Sequence, residues 1–302
     1  MSSTLDNQPQ EPIETLDNGG KKRRIFPSFI DLAAIFGVYI VAQIIAVLAI
    51  KIAIPHLLPH GDEATQMAWL MLASQIISMV LTIIFIYVIR HVRQAEAITI
   101  RLSLKGLDPT LLLGGLLMLL SASVVIEPLL TLLPPTPPIV GRGWPMLVAV
   151  IIGAPLFEEF ICRGLILESM RTKSGVLMAW FFSSLFFGLM HLDPTMVINA
   201  FVMGLILGYI YIRSESLWAA IILHALNNAI AYMLILLGLG DNFILREAIA
   251  SDVIYYAIYA LAAIILLVSI LLCRERFKLM IKPCEEESMA PKVDEQPTIE
   301  EE

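Results

Sequence analysis

Apolar residues in this chain are gathered into long runs, neither alternating nor recurring at a helical period, and the charged residues fall into the gaps between them. A helix needs about 20 predominantly apolar residues to cross a hydrocarbon layer of about 30 Å. Eight windows meet that pattern, at 30–54, 67–89, 110–133, 144–170, 175–190, 196–212, 217–237 and 253–273. The fifth and sixth are the shortest, which tilt or a place inside the bundle would accommodate. The pattern predicts an all-α fold, a polytopic membrane helical bundle with about eight transmembrane helices.

The gaps divide the chain. Residues 1–24 are polar and end in Lys21-Lys22-Arg23-Arg24, which reads as a disordered tail with a basic stop at the membrane face. Residues 274–302 are acidic, with Glu285-Glu286-Glu287 and Glu300-Glu301-Glu302, and read as a second disordered tail, so that 25–273 is the membrane domain. Pro134-Pro135-Thr136-Pro137-Pro138 is a stiff, extended link before the fourth window. Asp193-Pro194 marks a turn between the fifth and sixth. The stretch 93–108 alternates in part and suits either the membrane surface or a solvated loop. The opening residues have no apolar core followed by a small-residue cleavage site, so the first window is expected to act as its own insertion signal.

Charge orients this layout. With both termini cytoplasmic, the inner side receives sixteen of the 20 Lys and Arg residues, and an odd number of spans would misplace the five after the last window. The net charge of −7 says little about partners, because 13 of the 27 acids lie in the two tails; nothing in the sequence supports nucleic-acid binding. Cys162, Cys273 and Cys284 form neither a disulfide framework nor a paired thiolate site. A hydrophobic share of 58% and a mean hydropathy of +0.81 make the lipid bilayer the main solvent.

Against that background, Glu158-Glu159-Phe160-Ile161-Cys162-Arg163 stands out inside the fourth window. An ionised group near the bilayer centre costs on the order of 3 kcal/mol or more, so these charges need compensation. Glu159 and Arg163 are four apart and share a helical face, whereas Glu158 lies about 100° round and is free to accept a proton. His191 ends the fifth window, four residues after Phe187, and His224 and Asn228 share a face of the seventh. Ionisable residues in spans seek one another, so these groups imply a shared polar cavity. Such a set suits amide hydrolysis, with a carboxylate and an imidazole deprotonating water and imidazole and carboxamide donors holding an oxyanion. It also suits a metal such as zinc, held by Glu158, His191 and His224 with an open water position. At about 1.5 Å per residue the depths of Glu158, His191 and His224 along their windows do not coincide. Asp193, Asn199 and Asn227 are further polar residues nearby.

Glu158-Glu159-xxx-Arg163, Phe187-xxx-His191 and His224-xxx-Asn228 resemble, in order, the three motifs of the CPBP family of CAAX prenyl endopeptidases and bacteriocin-processing or immunity proteins, also called Abi. The motif core runs over residues 145–237. The resemblance implies an intramembrane protease in which Glu158, with His191, activates water. It further implies that His224 and Asn228 form the oxyanion site and that Glu159 and Arg163 support the first glutamate. No cofactor is required on this reading, with zinc as the alternative, and the substrate is a membrane-associated peptide or protein; the acidic, proline-containing tails and the lack of organelle signals lead us to expect a bacterial plasma membrane. A proton- or ion-coupled transporter would use the same Glu, His and Arg as a relay, although no internal repeat is visible. A non-catalytic immunity or scaffold protein would keep them for structure.

Overall fold

A computed structural model describes residues 26–58, 60–134, 141–237, 245–249 and 251–288. The N-terminal tail, the 135–138 part of the proline link and residues 289–302 of the acidic tail lie outside them. Eight long helices follow in order: α1 Phe29–Leu57, α2 Glu63–Val92, α3 Pro109–Leu130, α4 Trp144–Arg171, α5 Ser174–Leu189, α6 Pro194–Ser214, α7 Leu217–Leu236 and α8 Asp252–Ser288. Seven of them are long and apolar enough to cross a membrane, and α5 is a shorter apolar helix. The protein is an integral membrane protein built as an all-α bundle. No strand forms among the described residues; Leu102 and Ser216 make one isolated antiparallel bridge.

The helix ends follow local chemistry. Asp108-Pro109 and Asp193-Pro194 each place a side-chain acceptor at the N-cap and a residue without an N–H in the first turn. Asp193 Oδ1 accepts from Thr195 N at 3.0 Å and Met196 N at 3.1 Å, so the expected turn is a helix cap. Ser28 and Asp31 close a reciprocal capping box on α1, and Asp31 also takes Arg93 at 2.7 Å. At the other end of the chain, α8 continues past Cys273, because the segment that follows is rich in Arg, Glu, Lys, Leu and Met, all good helix formers.

Burial shows which helix is central. In its most apolar window α4 is 56% buried, against 17% for the most apolar window of α8 within Asp252–Leu272, so α4 packs among protein and that part of α8 is largely exposed. Ile161, Cys162, Leu165, Ile166 and Leu167 of α4 are buried against Phe187 of α5, Leu207 and Tyr211 of α6 and Leu223 of α7. Helices α5 and α6 approach closely through glycine: a Cβ on Gly188 would lie 2.8 Å from Val197 O. Substituting Gly188→Val is therefore expected to push these helices apart and lower stability by about 1–3 kcal/mol, read as a fall in the unfolding midpoint in detergent. At the head of α5 the chain turns at Gly175, whose φ of +77° and ψ of 161° interrupt the helical path from α4.

Candidate active site

Helix α4 is not uniform. Its hydrogen bonds widen to the π spacing over Val148–Gly153 and again over Phe160–Leu167, on either side of the α-helical turn Ala154–Glu159 that carries both glutamates. The sequence explains part of the first bulge. Ala154 N donates to Ala149 O, five residues back, so the next bond in that series would run from residue 155 to Val150 O. Residue 155 is proline and has no N–H. Asn228 Nδ2 supplies the missing donor to Val150 O at 2.9 Å. A π turn advances less per residue than an α turn, which is one reason the depths reckoned at a constant rise did not coincide. Asn228→Leu should leave Val150 O unpaired, costing about 0.5–2 kcal/mol in thermal unfolding.

Glu159 and Arg163 form the ion pair expected from their spacing, at 3.0 Å, with both side chains fully buried. Arg163 also donates to Gly204 O at 2.8 Å, and its guanidinium sits 4.6 Å from the centre of the Phe187 ring. The same Glu159 Oε1 accepts from Nδ1 of His224 at 3.0 Å. Arg163 and Glu159 thus hold the His224 ring, a contact that the spacing of the motifs did not suggest. With Nδ1 committed, Nε2 of His224 faces Glu158 Oε2 at 4.0 Å, beyond a direct hydrogen bond. The Phe187 ring lies 5.4 Å from the rings of both His191 and His224 and packs between them.

Glu158, His191, His224 and Asn228 line one cavity of about 610 Å³; Glu159 and Arg163 lie behind it. Glu158 Oε2 is buried without a hydrogen-bond partner, an arrangement that is costly unless the group has another use. His191 Nδ1 lies 3.0 Å from Phe187 O. A carbonyl only accepts, so Nδ1 carries the proton and Nε2 of the neutral ring is an acceptor. Sequence reasoning passed over Tyr39, Gln43 and Gln75, which line the same cavity from α1 and α2. Tyr39 OH donates to Met190 O at 3.0 Å, next to His191. Uncharged polar residues in apolar spans are uncommon, so Tyr39, Gln43 and Gln75 carried a signal of their own, but they lie in the first two windows, away from the motif core. Asn199 and Asn227, which match no motif position, also face the cavity, and Asn199 Oδ1 is buried without a partner.

The residues fit a metal poorly as they stand. Among the described residues no three His, Cys, Asp or Glu side chains converge as a ligand set, and the Nδ1 of His224 is turned to Glu159. No chemical step is therefore routed through zinc.

Comparison with known proteins falls on this part of the chain. Residues 140–230 match the family model described as Rce1-like, type II CAAX prenyl endopeptidase. Over 83 residues the chain is 30% identical to the protein named "Putative membrane peptidase YdiL" of Bacillus subtilis (strain 168), an overlap of 28% of this chain and 34% of that protein. The chain thus spans about a third of the length of the curated relative it matches. No solved structure gives a significant match. The matched stretch contains every residue of the three ordered motifs, from Glu158 to Asn228, and it is over this stretch that the chain is similar to the Rce1-like family.

Proposed function

We propose that the protein is an intramembrane endopeptidase that hydrolyses a peptide bond of a membrane-associated peptide or protein with water activated by Glu158 and His191. The observation that carries this reading is the pairing, on one cavity, of an unpartnered carboxylate oxygen on Glu158 with an imidazole nitrogen on His191 that can only accept. Glu158 takes a proton from water as the oxygen adds to the substrate carbonyl, and returns it to the departing amine. His224 and Asn228 face the position where the oxyanion forms; a proton on His224 Nε2 makes that ring a donor, while Glu159 holds the ring and offsets its charge. Glu159 and Arg163 are positioning residues in this scheme. The family resemblance of the motif core and the fully buried ion pair behind the cavity support the reading. The cellular setting we propose is a bacterial plasma membrane, with both termini in the cytoplasm.

The test is cleavage of a labelled membrane-peptide library by purified protein in proteoliposomes. Wild type should cleave a subset of the peptides, and His191→Ala should lower kcat by about 10²–10⁴-fold without loss of folded protein. A zinc chelator should leave the wild-type rate unchanged. Loss of activity with chelator and its return with zinc would replace this route by a metal-bound water. Folded wild type that cleaves nothing, or His191→Ala at full rate, would sink the peptidase reading.

A further inference from the structure

A second, larger cavity of about 1250 Å³ opens where α5 starts, α6 ends and the segment before α3 crosses them. It shares no lining residue with the candidate active site. Four basic side chains surround it: Arg101, Lys105, Arg171 and Arg213. Two carboxylates answer them. Glu168 Oε1 lies 3.3 Å from Arg101 Nε and 3.4 Å from Arg171 NH1, and Glu215 pairs with Arg101 and, at 3.5 Å, with Arg171. Lys105 and Arg213 pair with no carboxylate among the described residues; the Arg213 guanidinium lies 5.6 Å from the Tyr209 ring centre. Among the described residues, four cations face two anions there, an excess of positive charge.

The opposite wall is apolar. Val176, Leu177 and Trp180 of α5 and Ile212 of α6 line it, and Leu177 is 69% exposed. The turn at Gly175 sets this first stretch of α5 apart from the end of α4. From Ser174 to Leu189 the helix is about 24 Å long, short of the roughly 30 Å of a hydrocarbon core. A helix that falls short leaves the bilayer to thin or headgroups to sink at its end. Here the cavity sits at one end of the short helix, with cations and apolar side chains at the same level.

From this combination we infer that the cavity binds an anionic glycerophospholipid. Lys105 and Arg213 take the phosphoryl headgroup, and an acyl chain lies along Val176, Leu177 and Ile212. The chemistry needs both parts, a phosphate diester for the unpaired cations and a hydrocarbon chain for the exposed wall.

The full chain, purified in detergent, is titrated with phosphatidylglycerol, phosphatidylcholine and inorganic phosphate, and binding is followed by native mass spectrometry. Phosphatidylglycerol should bind tightest. The double variant Lys105→Gln/Arg213→Gln should weaken it about tenfold or more, whereas Lys51→Gln, which removes a charge elsewhere, should not. Leu177→Gln, at an exposed position that folding tolerates, should weaken it through the apolar wall. Equal binding of phosphatidylcholine would overturn the proposal, as would unchanged binding by both the double variant and Leu177→Gln. Inorganic phosphate that displaces the lipid at similar concentration would mark a site for soluble anions and overturn it too.

Discussion

Glu158→Gln is expected to lower kcat/KM for peptide cleavage by at least about 10³-fold while leaving the fold intact. Glutamine has the volume of glutamate, and Glu158 Oε2 makes no hydrogen bond, so the substitution costs the resting protein no hydrogen bond of that atom and only its 4.0 Å charge contact with His224 Nε2. What it removes is the ability to take a proton from water. The rate loss should therefore appear without a change in the unfolding midpoint, which separates it from structural damage. Glu159→Gln provides the contrast. That carboxylate accepts from both Arg163 and His224, and its loss should lower activity and stability together. Full activity in Glu158→Gln would remove this residue from the mechanism.

Arg163→Met is expected to cost about 3–5 kcal/mol in unfolding free energy, enough in a marginal membrane protein to keep it from accumulating. Methionine fills much of the space of the arginine stem but leaves Glu159 as a buried carboxylate with His224 as its remaining partner. It also removes the bond to Gly204 O and the contact with the Phe187 ring, which tie α4 to α6 and α5. The second variant, Arg163→Met/Glu159→Gln, removes both charges and should recover part of the loss. Equilibrium unfolding in mixed micelles measures both. A single variant as stable as wild type would show that the pair adds nothing to the fold.

These expectations rest partly on what could be read in the chain before its structure. The long apolar runs gave the helices and their order directly, because a span is a matter of length and composition. The bond from Glu159 to Arg163 followed from a spacing of four on a helix. Contacts between helices were harder to foresee. That His224 turns Nδ1 to Glu159, and that Asn228 serves Val150 O, depends on how α7 lies against α4, which no local spacing encodes. The π turns were likewise hidden: Pro155 signalled a missing donor, but not that the helix would widen around it. Helix α8 runs past Cys273 to Ser288, through a run of charge whose residues also favour a helix. Tyr39 and Gln43 lie in an otherwise apolar window, and only packing shows that they face the cavity.

The wall of the 610 Å³ cavity contributed by α1 and α2 lies wholly outside residues 140–230, the stretch that matches the family. The groups proposed for chemistry and the surface that a bound peptide would touch opposite them are thus encoded in separate halves of the gene. Mutations in the first 92 codons can reshape what fits without touching Glu158, His191, His224 or Asn228, so selectivity is free to drift while the reactive set stays fixed.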